Sequence, residues 1–164
     1  MRYKDDSDDS AEMEVEVFPA GQGGIVGDFK KLKVWQKSHQ LTLEVYKSTT
    51  VFPDRERFGL TGQLRRAAAS IPANVAEGCG RGTDKELGRY VQIGLGSATE
   101  LEYHLILARD LGILPLPAYE SLNAATLEVQ SMLAGLSRKV RRGRGPRATS
   151  TQPRADDQKP LANS

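Results

Sequence analysis

Between Asp84 and Leu111, the positions Leu87, Val91, Gly94, Ala98, Leu101, Leu105 and Ala108 recur in alternating steps of four and three. That spacing holds one narrow stripe on one side of an α-helix and predicts a bundle helix. Thr83-Asp84-Lys85-Glu86 precedes the stripe as a capping box, and Gly112 follows it as a stop. After the apolar turn Ile113-Leu114-Pro115-Leu116-Pro117, the same steps run through Tyr119, Leu122, Thr126, Val129, Leu133, Leu136 and Val140 and predict another helix. Upstream, Asp28 is placed to cap a helix with Leu32, Trp35, Leu43 and Tyr46 on its apolar face, widened by Val34, Leu41 and Val45. Phe52-Pro53-Asp54 ends it. A loop from Arg55 to Gly59 leads into a further helix that stops at Gly78, Gly80 and Gly82. No segment of this region competes as a sheet, so the pattern predicts an all-α fold, an antiparallel up-and-down four-helix bundle with disordered termini.

Charge divides the chain further. Residues 1–28 hold Arg2 and Lys4 against eight acids, whereas residues 137–164 hold eight bases against Asp156 and Asp157. The small net charge of +2 therefore conceals an acidic head and a basic tail. With little to bury at either end, the expected organisation is a disordered head over 1–28, a bundle over 29–136 and a disordered tail over 137–164. Cys79 is the sole cysteine, which excludes an intrachain disulfide and a four-cysteine zinc site and fits a reducing cytoplasm. The acidic start is unlike a secretory signal, and no stretch approaches the ~20 apolar residues of a membrane span. These features predict a cytoplasmic protein with no membrane association.

The run QLRRAAASIPANVAEGCGR, Gln63 to Arg81, sets a proline and several polar residues inside a predicted helix. Its alanines and Ser70 are expected to face Gly94, Gly96, Ser97 and Ala98 of the next helix, where small side chains let backbones approach. Pro72 removes the donor owed to the carbonyl of Ala68, at a cost of ~3 kcal/mol unless packing absorbs it, and should kink the helix. Ser70, Asn74, Glu77 and Arg81 share one face, Glu77 and Arg81 are an i, i+4 pair, and Glu100 is expected to face Arg66 or Asn74. Two readings compete for Arg66, Ser70, Asn74, Glu77, Arg81 and Glu100: a catalytic or metal-binding cluster, or a buried polar network that fixes helix register. The second is preferred because buried polar groups must be paired. Cys79 with His39 or His104 lacks any motif linking nucleophile and base. Gly78-Cys79-Gly80-Arg81-Gly82-Thr83 follows a helix instead of a strand and lacks the Gly-Lys-Ser/Thr ending of a phosphate loop. No catalytic residue, metal or cofactor is expected.

Four groups of residues carry a family resemblance: Phe29-Lys-Lys-Leu32-Lys-Val-Trp35-Gln36; Phe58-Gly-Leu60-Thr-Gly-Gln63-Leu64-Arg65-Arg66-Ala67; Ser70-Ile-Pro72-Ala-Asn74-Val-Ala-Glu77-Gly78; and Gly96-Ser97 followed by Glu100-Leu101-Glu102. Together they resemble the four-helix-bundle proteins encoded in 23S rRNA intervening sequences, closely over residues 29–114 and by pattern alone in the last helix. The same family includes the accessory variability protein of diversity-generating retroelements, which works with a reverse transcriptase and its RNA. The resemblance implies a ring-like homopentamer that engages nucleic acid or its processing machinery, with Pro72, Asn74 and Glu77 matching as architecture and no catalytic residues to carry over. The acidic head and arginine-rich tail lie outside the family core.

Cations supply the remaining signal. Arg138, Lys139, Arg141, Arg142, Arg144 and Arg147 form a glycine-spaced basic run suited to phosphate contact, although no aromatic residue within it can stack on a base. Lys30, Lys31, Lys33 and Lys37 form a second patch, which repetition in a pentamer would turn into a basic ring. The expected function is non-enzymatic binding of nucleic acid, RNA more than DNA. The alternative is an adaptor that docks a reverse transcriptase or another RNA-processing partner.

Overall fold

A computed structural model describes residues 27–142. Its four helices are α1, Lys33–Ser48; α2, Leu60–Gly80; α3, Asp84–Asp110; and α4, Leu116–Arg142. No strand occurs among the described residues. Each helix packs on its sequence neighbours, and α1 closes the bundle against α4. The pairings run antiparallel throughout. Thr42 meets Ala68 while Thr49 meets Arg65; Ser70 meets Ser97 while Glu77 meets Tyr90; Gln92 meets Ser137 while Glu102 meets Gln130. The bundle is therefore up-and-down.

All seven positions of the α3 stripe are buried, and α3 spans 27 residues, roughly 40 Å. Thr83 caps it, its hydroxyl accepting the Glu86 amide at 3.3 Å. Glu86 turns instead to Arg89, 3.5 Å away. Gly112 takes φ +67°, and the amides of Gly112 and Ile113 return to Arg109 and Ala108 carbonyls, so α3 ends in a glycine-stopped turn. In α4 the stripe from Leu122 to Val140 is buried as expected, joined by Ser137, whereas Tyr119 is only partly covered and lies under the Arg109 guanidinium at 4.4 Å. Because Val140 still packs against Gly88, α4 continues past Leu136 to Arg142. Arg138, Lys139, Arg141 and Arg142 thus ride on a helix. The expected acidic head up to 26 and the tail beyond 142 lie outside the described residues.

The first helix departs most from its sequence pattern. Asp28 caps a short 3-10 turn, Phe29–Lys31, by accepting the Lys30 amide at 3.1 Å, and α1 begins only after the extended Leu32. Its buried side is Val34, Ser38, Leu41, Thr42 and Val45, continued by Thr49. Leu43 and Tyr46, expected in the core, are 51% and 45% exposed. The hydroxyls of Ser38, Thr42 and Thr49 bond backbone carbonyls, and once satisfied they pack like small apolar groups; their polarity concealed the true face.

Candidate nucleic-acid interface

Helix α2 runs unbroken through Pro72 because another helix supplies the missing donor. The Thr42 hydroxyl, buried between α1 and α2, reaches the Ala68 carbonyl at 2.9 Å as well as the Ser38 carbonyl at 2.8 Å. One hydrogen is thus shared between a local acceptor and the carbonyl that Pro72 orphans. Gly78 has a separate steric cause: a Cβ there would stand 2.9 Å from Tyr90 Cβ and 3.1 Å from a Leu87 methyl, so only glycine lets the end of α2 meet α3 this closely. Gly94 packs on the Ile71 carbonyl and Asn74. Gly96, expected to share that contact, faces open space.

The expected polar network separates into a clasp, an exposed ion pair and two residues, Glu100 and Arg66, that join neither. Ser70 and Ser97 hydroxyls meet at 2.9 Å, and Asn74 Nδ2 donates to the Ser70 carbonyl and hydroxyl at 2.8 and 3.0 Å, forming a half-buried clasp between α2 and α3. Glu77 is exposed rather than buried. Its carboxylate accepts from the Arg81 guanidinium and, at 2.9 Å, from the Tyr90 hydroxyl. The Arg81 hydrogen bond, then the Tyr90 hydrogen bond, hold the Glu77 carboxyl below its ordinary range. Glu100 joins neither group; it lies 3.5 Å from His104 Nε2 on its own helix. Arg66 is exposed and likewise stands apart. The eleven-residue span from Arg66 to Glu77 exceeds three helical turns, too far for one cluster along α2.

The antiparallel order brings the start of α1, the end of α2, the start of α3 and the end of α4 to one pole. Residues 27–38, 76–92 and 128–142 carry eleven bases against five acids, whereas 39–75 and 93–127 carry six against seven. The two cation groups separated by a hundred positions in sequence, Lys30, Lys31, Lys33 and Lys37 with Arg138, Lys139, Arg141 and Arg142, share this end. Lys37 is ion-paired with Glu128 at 2.9 Å. The four α4 cations are exposed, and Arg141 borders a groove with Lys85, Arg89 and Gln92. Arg144 and Arg147 lie outside the described residues. The last carbonyls of α4 add partial negative charge that these basic side chains offset.

Cys79 is buried, and burial pushes its thiol pKa up, which disfavours the thiolate. No hydrogen bond joins it to His39, which stacks on Trp35, or to His104, which lies beside Glu100. Among the described residues no group of three or more His, Cys, Asp or Glu side chains is placed to hold a metal ion, and no helix is long and apolar enough to cross a membrane. Sequence reasoning missed two participants, Thr42 and Tyr90, whereas Ser97 stands opposite Ser70 as expected. Thr42 and Tyr90 each act across an interhelical contact, which no pattern within one helix records.

No curated protein matches the chain in sequence. Among solved structures, a protein of unknown function from the S23 ribosomal protein family of Bacteroides thetaiotaomicron is similar, with a TM-score of 0.58 and 25% identity, over 64% of this chain and 98% of that one. A family model described as 23S rRNA-intervening sequence protein matches residues 30–135, from the lysines of the 3-10 turn to within two turns of the end of α4. The Pro72 carbonyl repair, the Gly78 contact and the Ser70–Asn74–Ser97 clasp all lie inside that span, and over it the chain belongs to the 23S rRNA-intervening sequence protein family.

Proposed function

We propose that this protein is a non-enzymatic, oligomeric nucleic-acid-binding bundle whose basic pole holds the phosphate backbone of RNA. One observation carries the reading: the fold gathers two cation groups, distant in sequence, at one end with a surplus of six positive charges. A polyanion meets a concentrated positive field there, which favours backbone contact with little sequence preference. Assembly into a pentamer would repeat the pole in each subunit. The outer face of α3 supports such assembly, since Ile93 and Tyr103 are exposed on either side of the open Gly96. Those same exposed residues favour the second reading, an adaptor that docks a reverse transcriptase or other RNA-processing protein on α3.

Changing Arg138, Lys139, Arg141 and Arg142 to glutamine tests the first reading while keeping side chains that suit a helix. Each phosphate of a single strand that is no longer neutralised should flatten the slope of log affinity against log salt by about 0.7, so removing all four cations flattens it by about 3. Unrelated RNA sequences should weaken alike. Unchanged affinity and slope in a folded variant would reject the basic pole and leave the adaptor reading.

A further inference from the structure

The described residues place a ladder of rings at the edge of the basic pole. Phe29, in the 3-10 turn, meets Trp35 edge-on with centroids 5.0 Å apart and planes at 64°. Trp35 in turn lies nearly parallel to His39, at 5.1 Å and 7°. Phe29 and Trp35 are partly buried against the core, whereas His39 is exposed. Lys30 Nζ stands 5.9 Å from the Phe29 ring, so a cation marks the inner end of the ladder.

Two side-chain hydrogen bonds fix the backbone that carries these rings. Gln36 Nε2 donates to the Lys30 carbonyl at 2.8 Å and ties the 3-10 turn to α1, and the Ser38 hydroxyl donates to the Trp35 carbonyl at 2.9 Å. Such preorganisation lowers the ordering cost of a ligand that stacks on the outer ring. Further along α1 the next aromatic, Tyr46, has one ring face taken by the Arg65 guanidinium at 4.9 Å. Among the described residues, Trp35 is the one ring that lies against His39.

Building on the basic-pole reading, we infer that the Phe29–Trp35–His39 ladder is a stacking site for an unpaired base of a single-stranded nucleic acid, with the base on the outer face of His39 and its phosphates held at the pole. A planar, aromatic ligand flanked by phosphates matches both features of the surface. A duplex buries its base faces and matches only the charge. The site supplies the base-stacking element that the arginine run lacks, and it selects single strands without reading sequence.

Trp35 is the only tryptophan, so its emission reports on this ladder alone. The full chain is titrated with an oligouridylate of about twelve nucleotides, within the site sizes of about 4–16 known for single-strand binders, and separately with an RNA duplex of that length and with inorganic polyphosphate. The expected result is saturable quenching by the single strand and little change with duplex or polyphosphate. His39→Ala should weaken oligouridylate binding about fivefold or more, the size of one stacking interaction, with an unchanged salt slope. His39→Phe should restore it. Equal quenching by polyphosphate, or unaltered affinity in His39→Ala, would overturn the stacking site while leaving phosphate binding at the pole intact. Emission that shifts with protein concentration alone would overturn it too, by assigning the ladder to a second copy of the chain. Absence of any oligonucleotide binding would remove both readings.

Discussion

Pro72 and Thr42 solve one problem from two helices. The proline takes a donor away from Ala68, and the threonine gives one back at 2.9 Å. A buried carbonyl left without a partner costs about 1–3 kcal/mol, more than the net value of an ordinary hydrogen bond. Thr42→Val keeps the shape and removes the hydroxyl, so it should lower unfolding stability by about 1–3 kcal/mol in urea denaturation. Pro72→Ala restores a backbone amide to Ala68. In that background Thr42→Val should cost visibly less, and the difference is the coupling energy of a double-mutant cycle. Additive costs would show that the two side chains are independent. The residues Ser70, Ile71, Pro72, Ala73 and Asn74 were legible as a helix interior, but no pattern within that helix points to position 42.

At the level of elements, the joint between α2 and α3 depends on contact that glycine permits and on a polar lock at its rim. Gly78 lets the backbones close, the Tyr90 hydroxyl then donates across the joint to Glu77, and Arg81 pairs with the same carboxylate from the end of α2. The folded-state pKa of Glu77 is depressed, chiefly by its Arg81 hydrogen bond. A depressed carboxylate contributes stability that is present above its unfolded value and lost as pH falls through its folded one. Wild type should therefore exceed Glu77→Gln in denaturation midpoint at neutral pH, and the two should converge below the ordinary carboxylate range. A gap independent of pH would assign the role of Glu77 to shape instead of charge. Because Glu77 is exposed, the effect is modest and falls with salt. Helix α1 shows the opposite legibility: its apolar residues were visible, but Leu43 and Tyr46 drew the predicted face away from the hydroxyl-bearing side that is buried.

For the whole molecule, the arrangement of charge matters more than its total. A net charge of +2 gives no hint of a pole with eleven bases against five acids. If subunits assemble as proposed, light scattering coupled to size exclusion should report about five chains, and the poles would act together on one polyanion. A monomer across micromolar concentrations would reject the assembly and leave a single pole to bind alone.

Periodicity along the chain was enough for the four helices, the buried stripes of α3 and α4 and the order in which the chain runs, because a period of three and four residues is a local property that each segment carries alone. The sequence also identified the cations. Tertiary structure decided which of them meet, by folding α1 and α4 antiparallel so that positions 30–37 and 138–142 share one end. It decided too that Glu77 and Glu100 stay outside the core clasp, and that Thr42 belongs to Pro72. Hydrogen-bond partners and electrostatic neighbours are relations between helices, set by their packing and register, and no periodicity within one helix encodes them.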